Sequence, residues 1–93
     1  MRITFNLSNL RKHNVSCEEV LEVFNSEMSL TEDLVPSRRG NDRRLIIGWT
    51  CLGRVLEVGV EYFEYEDREH IFHAQDARTE LHLELVARFK NGR

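Results

Sequence analysis

The fold is decided by the stretch Asn9-Leu10-Arg11-Lys12-His13-Asn14-Val15-Ser16, which joins two predicted helices. The first helix runs from a cap at Ser8 through His13. Asn14 follows, and asparagine is one of the few residues besides glycine that adopt the left-handed conformation with which helices commonly end. The chain therefore turns at Asn14 and enters the second helix at once.

The second helix has a complete start signal. Ser16 and Glu19 form a Ser-x-x-Glu capping box, and Val15 and Val20 occupy the two positions of a hydrophobic staple. The apolar residues recur at i, i+3, i+4 and i+7, which is one face of a helix. These residues are Cys17, Val20, Leu21 and Phe24. The pattern predicts a helix over residues 16–26.

Strand patterns flank this helical pair. Residues 2–6 alternate with Ile3 and Phe5 inward, which is typical of a short strand. After the helices, alternation and β-branched residues predict a weak strand followed by three stronger ones. They span residues 30–35, 43–52, 54–65 and 69–74, and a polar loop over 36–42 carries the only proline. The sequence therefore predicts a strand, two helices and then three or four antiparallel strands.

Helical spacing returns at the end of the chain. Leu81, Leu85 and Phe89 form one apolar stripe within residues 77–90. The chain therefore closes with a C-terminal helix, and the fold class is α+β.

Length and composition limit what the chain can be. Its 93 residues and 11.0 kDa suit one domain, residues 1–93, with a modest core. A hydrophobic fraction of 41% and a charged fraction of 31% exclude a disordered polyelectrolyte. No apolar run reaches the roughly 20 residues of a membrane-spanning helix, and the N-terminal residues lack an apolar signal segment. We expect a cytoplasmic protein that does not contact membranes.

Cysteine and tryptophan give structural signals rather than functional ones. Cys17 and Cys51 are far apart in apolar surroundings, which favours neither a disulfide framework nor a Cys-x-x-Cys metal site. We predict both as small core residues. Trp49 is also predicted in the core, because its neighbours are apolar.

The charge distribution matters more than the net charge. A formal net charge of −3 argues against a general nucleic-acid coat. Basic residues nevertheless cluster along the chain, so a local basic surface on an acidic protein is compatible with this composition. The clusters are Arg11-Lys12, Arg38-Arg39, Arg43-Arg44 and the group Arg88, Lys90 and Arg93.

Several motifs together make the chain resemble the BrnT-type ribonuclease toxins, a branch of the RelE-like fold. The resemblance covers most of residues 5–80, and the run over residues 9–16 is its most specific part. The motifs are that run with Glu18-Glu19 and Val23-Phe24, then Asp42-Arg43 leading into Ile47-Gly48, then Gly53-Arg54, and finally Ile71-Phe72-His73-Ala74.

This resemblance implies both a fold and an activity. The fold would be RelE-like, with a small curled antiparallel sheet, two N-terminal helices and one C-terminal helix. The activity would be that of a type II toxin–antitoxin module, in which an endoribonuclease toxin cleaves RNA without a metal. The partners would be RNA and a cognate antitoxin of the ribbon-helix-helix type. A partner or a homodimer would also cover the unpaired sheet edge.

The chain departs from the family pattern at three places. The family usually has more residues, often including a lysine, between its first strand and the 9–16 run. Asn14 replaces the usual glycine, at little cost to the backbone conformation. Gln75 stands where the family commonly has an arginine, although Arg78 follows one helical turn later. Gln75 and the shortened entry favour an alternative function, that of a non-catalytic protein-binding module that keeps the toxin fold.

Metal-free RNA cleavage needs a base for the 2′-hydroxyl, cations for the phosphate and an acid for the leaving oxygen. Histidine can fill either proton-transfer role, and the arginine fork matches phosphate oxygens. The catalytic candidates are Lys12, His13, Arg43, His73 and Arg78, and the RNA-binding candidates are Arg11, Arg54, Arg68 and His70. Glu61 and Glu80 are fallback bases. We expect no metal and no cofactor.

Simpler interpretations stand beside these. His13 at a helix C-terminus is equally well explained by the helix dipole. Arg54 beside Gly53 is as compatible with turn solvation as with a phosphate contact. Neighbouring Arg43 and Arg44 must point to opposite sides of a strand, so at least one of them is expected to be a solvated edge charge.

Two further alternatives remain open. His70 and His73 are three residues apart on a strand, which predicts opposite faces and argues against a shared metal site. An unrelated small α+β protein would also carry these strand and helix patterns without the toxin activity.

Overall fold

The computed structural model describes residues 1–90; residues 91–93, with Arg93 of the last basic cluster, lie outside the described part. The element order follows the sequence prediction, and all four strands after the helical pair form. The elements are β1 (Arg2–Phe5), α1 (Leu7–Lys12), α2 (Cys17–Phe24), β2 (Ser29–Leu34), β3 (Arg43–Trp49), β4 (Val55–Phe63), β5 (Arg68–Asp76) and α3 (Thr79–Lys90), with a 3-10 turn at Glu64–Glu66 between β4 and β5.

The sheet is mixed, which corrects the expectation of an antiparallel one. Its strand order is β1-β5-β4-β3-β2. Strands β2 to β5 form the predicted antiparallel meander, but β1 pairs with β5 in parallel, with Arg2 opposite Arg68 and Phe5 opposite Ile71. Helices α1 and α2 lie between β1 and β2 in the chain. Strand β1 pairs with β5, the last strand of the meander, and runs in the same direction as β5.

The junction of the two N-terminal helices forms as predicted. The hydroxyl of Ser16 accepts from the Glu19 backbone N–H at 3.0 Å, and the Glu19 carboxylate accepts from the Ser16 N–H at 3.0 Å. Asn14 has a φ of 54°, the left-handed conformation expected there. The cap of α1 is Asn6 rather than Ser8, because the Asn6 side chain accepts from the Asn9 N–H at 3.2 Å. Helix α2 ends at Phe24, two residues before the predicted end.

Helices cover one face of the sheet and part of the other, and β4 is buried along most of its length. Helices α1 and α2 pack on one face, and their core residues are Leu10, Val15, Val20, Val23, Ile46, Leu56, Val58, Val60, Ile71 and Ala74. Helix α3 packs on the other face against β3 and the start of β4, with a core of Leu45, Ile47, Val55, Leu81 and Leu85. Burial of these side chains is the main stabilising term of the fold.

Two core assignments need correction. Cys51 is exposed in the turn after β3, because the strand ends at Trp49, before the predicted boundary. Trp49 is only half-buried and meets Phe89 edge-to-face at a ring distance of 6.0 Å. Cys17 is half-buried against the α1–α2 core. Within residues 1–90, no helix is long and apolar enough to cross a membrane.

A β-bulge in β5 changes which side chains share a face. Gly59 pairs with His73 whereas Val60 pairs with Ile71, so Phe72 is the extra residue. The bulge breaks the alternation, and His70 and His73 lie on the same face; the prediction of opposite faces was wrong. The Phe72 ring packs over Gly59, where a Cβ atom would lie 2.7 Å from Cζ of the ring. Only glycine allows this approach.

Candidate functional site

The candidate site lies on the face that α3 covers in part, which we call the open face. Its residues on β4 and β5 are the odd-numbered β4 positions and their cross-strand partners, since directly opposite residues share a face. Here the sheet is covered by side chains and by the loop over residues 36–42 rather than by a helix. Shallow surfaces of this kind suit a polymer better than a small molecule.

Two histidines meet at the edge of this face. Strand β1 ends opposite Ile71, so the second half of β5 has no strand beside it, and α1 packs there instead. The Asn9 side chain accepts the Ala74 backbone N–H at 3.0 Å, which fixes α1 against β5. The end of α1 therefore brings the His13 ring to that of His73, edge-to-face with centroids 5.8 Å apart.

A buried carboxylate contacts one histidine of this pair, His73. The Glu57 side chain is only 4% exposed, and its Oε2 lies 3.5 Å from Nε2 of His73. Its Oε1 accepts from both the backbone N–H and the Nε of Arg78, each at 3.0 Å. Burial would raise the pKa of Glu57, but the two Arg78 hydrogen bonds and the charges of Arg78 and His73 together hold it below its ordinary value. Glu57 is therefore an ionised anchor that joins His73 to Arg78.

The arrangement supplies the groups of a proton-transfer site. The side chains of His73 and Arg78 remain 26% and 57% exposed, so both reach solvent. Because Arg78 uses Nε on Glu57, its terminal nitrogens stay available to an anion. The two imidazoles can transfer protons at a phosphodiester bound beside them, and the guanidinium, which stays charged, can stabilise negative charge on its oxygens.

Arg54 contacts the backbone next to the His13 ring and connects it to other parts of the fold. Its terminal nitrogens donate to the carbonyl oxygens of Asn14 at 2.8 Å and His13 at 3.3 Å. It also pairs with Glu19 at 3.2 Å and with Asp76 at 2.7 Å. One guanidinium thus joins the α1–α2 turn, the capping box and the end of β5, and it holds the backbone that carries the His13 ring.

The other end of the open face holds a second polar group. The His70 ring lies 2.8 Å from the Thr4 hydroxyl and edge-on to Phe63. Burial lowers the pKa of His70, with a further contribution from the charge of Arg68. Arg68 covers the Phe63 ring at 4.1 Å and donates to the Thr4 hydroxyl at 2.9 Å. His70 and Arg68 therefore form a group of their own beside Phe63.

Arg43 lies between the two ends, over the Phe72 ring at 5.4 Å, and its Nε donates to the Val35 carbonyl at 2.9 Å. Lys12 is exposed beside His13, and its side chain makes no hydrogen bond or ion pair within residues 1–90. Arg11 is exposed and lines a groove between α1 and α2. The fold thus brings His13, His73 and Arg78 together, and it leaves Arg11 outside the open face.

Glu57 is the residue that sequence reasoning missed. The signal was an acid inside an otherwise apolar strand pattern, at a position that the structure shows to be buried. The two fallback bases differ from it. Glu61 accepts from the Asn41 side chain at 2.9 Å, and Glu80 is exposed on α3. Gln75 pairs with Glu57 across the strands and shares its face.

An ion pair between a half-buried arginine and a buried glutamate marks the opposite face. Arg44 and Glu69 form two parallel hydrogen bonds of 2.7 and 2.8 Å, and the Arg44 guanidinium lies over the Phe24 ring. The expectation for neighbouring arginines is met in part, because Arg43 and Arg44 do point to opposite sides, yet each of them has protein partners. Within residues 1–90, no group of three or more His, Cys, Asp or Glu side chains is placed to hold a metal ion.

No model of a known protein family matches the sequence, and no curated protein matches it either.

Proposed function

We propose that this chain is an endoribonuclease toxin of a type II toxin–antitoxin module, which cleaves RNA without a metal and is neutralised by a cognate antitoxin. The observation that carries the proposal is the His13–His73 pair, whose rings lie 5.8 Å apart beside a guanidinium on an exposed sheet face. The sequence resemblance to the BrnT-type toxins supplies the substrate class. The RelE-like identity of the fold is part of the same proposal.

The reaction needs only groups that this face carries. One imidazole removes the proton of the 2′-hydroxyl, and the 2′-oxygen attacks the adjacent phosphorus. The bond from phosphorus to the 5′-oxygen breaks, and the other imidazole protonates that oxygen. The products are a 2′,3′-cyclic phosphate and a free 5′-hydroxyl, so atoms and protons balance.

Two residues assist this pair. Arg78 stabilises the charge that develops on the phosphate oxygens, as a fixed cation does in a preorganised site. Glu57 orients both His73 and Arg78, because it contacts each of them from a buried position. Lys12 and Arg43 remain catalytic candidates at the margin of the pair, and Arg68 and His70 remain candidates for binding the RNA strand.

The direct test is cleavage of single-stranded RNA in the presence of EDTA. The unmodified protein should cut, and His13→Gln or His73→Gln should each slow cleavage by roughly 10²–10⁴-fold, the usual contribution of a positioned acid or base. His82→Gln is the matched control, because His82 is exposed on α3. Equal activity of all three variants would contradict the proposal, as would an unmodified protein that does not cut.

The antitoxin proposal has its own test. Expression of the chain alone should arrest growth, and coexpression with a small ribbon-helix-helix protein encoded next to it should relieve the arrest. A stable complex of that neighbour with the inactive His73→Gln protein would show that binding does not need catalysis. Absence of a complex with that neighbour would contradict the toxin–antitoxin assignment.

A non-catalytic binding module is the second candidate, and Gln75 favours it. Gln75 faces Glu57 on the neighbouring strand, at the place where the family has a cation, and Arg78 uses part of its hydrogen-bonding capacity on Glu57. Under this alternative the chain binds its partner but does not turn over RNA. Gln75→Arg would then create cleavage that the unmodified chain lacks.

A further inference from the structure

We propose that the groove formed by the loop over residues 36–42 and strands β3 and β4 is a phosphate subsite that holds the backbone of single-stranded RNA beside the histidine pair. The inference rests on the proposed function for its substrate, but not on catalysis. The groove has a volume of about 500 Å³, and its lining residues are Pro36, Ser37, Arg38, Arg39, Arg43 and Glu61. Sequence reasoning noted the arginine cluster at 38–39 but gave it no role.

The loop is held in place by its own hydrogen bonds. The Ser37 N–H donates to the Asn41 carbonyl at 2.9 Å, and the Gly40 N–H donates to the Ser37 carbonyl at 2.8 Å. Gly40 adopts a φ of 83°, which favours glycine. The Asn41 side chain then donates to Glu61 on β4 at 2.9 Å. The loop therefore presents its two arginines from a fixed frame.

Two of the guanidinium groups are held in position by contacts that involve only part of each group. Arg39 lies over the Phe63 ring at 5.5 Å, with its Nε 3.7 Å from Glu61. Arg43 lies over Phe72, with its Nε on the Val35 carbonyl. Within residues 1–90, the terminal nitrogens of both arginines make no hydrogen bond. Stacked guanidiniums with free terminal N–H groups fit the oxygens of a phosphate.

The net positive charge of the groove favours the binding of an anion. Three arginines face one carboxylate, which leaves an excess of two positive charges on a protein whose net charge is −3. Burial would raise the pKa of Glu61, but hydrogen bonds from Asn41 and Ser37 and the charges of Arg39 and Arg43 together hold it below its ordinary value. Glu61 thus stays ionised and fixes Arg39 without cancelling the cationic excess.

The groove lies on the path of a strand bound at the histidine pair. Glu57 and Glu61 are on the same face, four residues apart on β4, which is about 13 Å at ~3.3 Å per residue. Phe72 carries Arg43 on its ring and directly precedes His73. A short stretch of extended RNA would span the distance between the groove and the histidine pair. A phosphate bound in the groove would therefore determine which phosphodiester bond lies beside the two histidines.

The test uses an octanucleotide with 2′-O-methyl ribose, which cannot be cleaved, so that binding is separated from catalysis. The double variant Arg38→Gln/Arg39→Gln should weaken binding. It should also reduce the slope of log K against log salt by ~0.7 for each lost phosphate contact on single-stranded nucleic acid. Arg88→Gln/Lys90→Gln removes the same charge from the exposed end of α3 and is the matched control. Equal affinity and slope for the two double variants would overturn the subsite.

The outcomes separate the two proposals. Groove-dependent binding by a protein that never cuts RNA would support the subsite and contradict the nuclease. Cleavage without any dependence of binding on Arg38 and Arg39 would overturn the subsite alone. A second experiment titrates inorganic phosphate into the protein and follows the arginine side chains by NMR. Phosphate-induced shifts of the Arg39 and Arg43 side-chain NMR signals without any binding of the octanucleotide would show a free-anion site and overturn the RNA assignment.

Discussion

The two faces of the one sheet differ in how they bury charge. On the face covered by α1 and α2, the core is apolar apart from the Arg44–Glu69 pair, in which both terminal nitrogens of the arginine donate to the one carboxylate. On the open face, Glu57 and Glu61 are at least as buried as Glu69, at 4% and 8% side-chain exposure against 8%, but their partners Arg78 and Arg39 are 57% and 66% exposed, against 31% for Arg44. A similarly buried carboxylate therefore pairs with a largely covered arginine on the first face and with a solvent-exposed arginine on the open face.

The largest expected effect on stability comes from the face of α1 and α2. Ile71 is fully buried there, and Ile71→Ala should lower the free energy of unfolding by about 2–5 kcal/mol, because it removes packed methylene groups and leaves a cavity. Leu83→Ala is the control, since Leu83 is 62% exposed on α3 and should change stability by no more than about 0.5 kcal/mol. Urea denaturation measures both. Similar losses for the two variants would mean that Ile71 does not lie in a closed core.

An intermediate effect is expected at the junction between the faces. Arg54→Lys keeps the charge but cannot reach both carbonyls and both carboxylates, so it should cost about 1–2 kcal/mol of stability from lost charged hydrogen bonds. It should also move the ring-proton NMR signals of His13 and His73, which depend on their edge-to-face contact. Asp76→Asn, which alters only the most exposed partner, should leave those signals in place. Unmoved histidine signals in Arg54→Lys would show that Arg54 does not position the pair.

Much of the helical pair could be predicted from sequence, and little of the open face could. The Ser16–Glu19 capping box and the left-handed Asn14 are local features, so a few neighbouring residues determine them. The pairing of β1 with β5 and the bulge at Phe72 depend on strands distant in sequence. No local pattern reveals them.

The same division between local and long-range features applies to the candidate site. Histidine and arginine could be named as candidates because their chemistry suits phosphate transfer. Their convergence could not be predicted, since it depends on the bulge that turns His73 to the face of Glu57. Glu57 was visible as an acid inside an apolar strand pattern, but its role could not be predicted, because its partner Arg78 lies beyond the next strand.

The smallest expected effect is the acid dependence of the open face. The folded-state pKa of Glu57 lies below its ordinary value near 4.5, so its stabilising contribution is present above that value and is lost as the pH falls through the folded-state pKa. The stability difference between the unmodified protein and Glu57→Gln should therefore shrink as the pH is lowered below about 4.5. Denaturation at a series of pH values measures it, with Glu84→Gln on the exposed side of α3 as control. A stability difference that grows on acidification would contradict this prediction, because it would require a folded-state pKa of Glu57 above the ordinary value.

The most direct measurement of the central claim is the pH dependence of RNA cleavage in EDTA. If His13 and His73 divide the acid and base roles, the unmodified protein should show a bell-shaped profile of kcat/KM, and each single His→Gln variant should retain residual activity that has lost one limb of the bell. A profile that keeps both limbs after either substitution would contradict the account, because the titrating groups would then lie elsewhere.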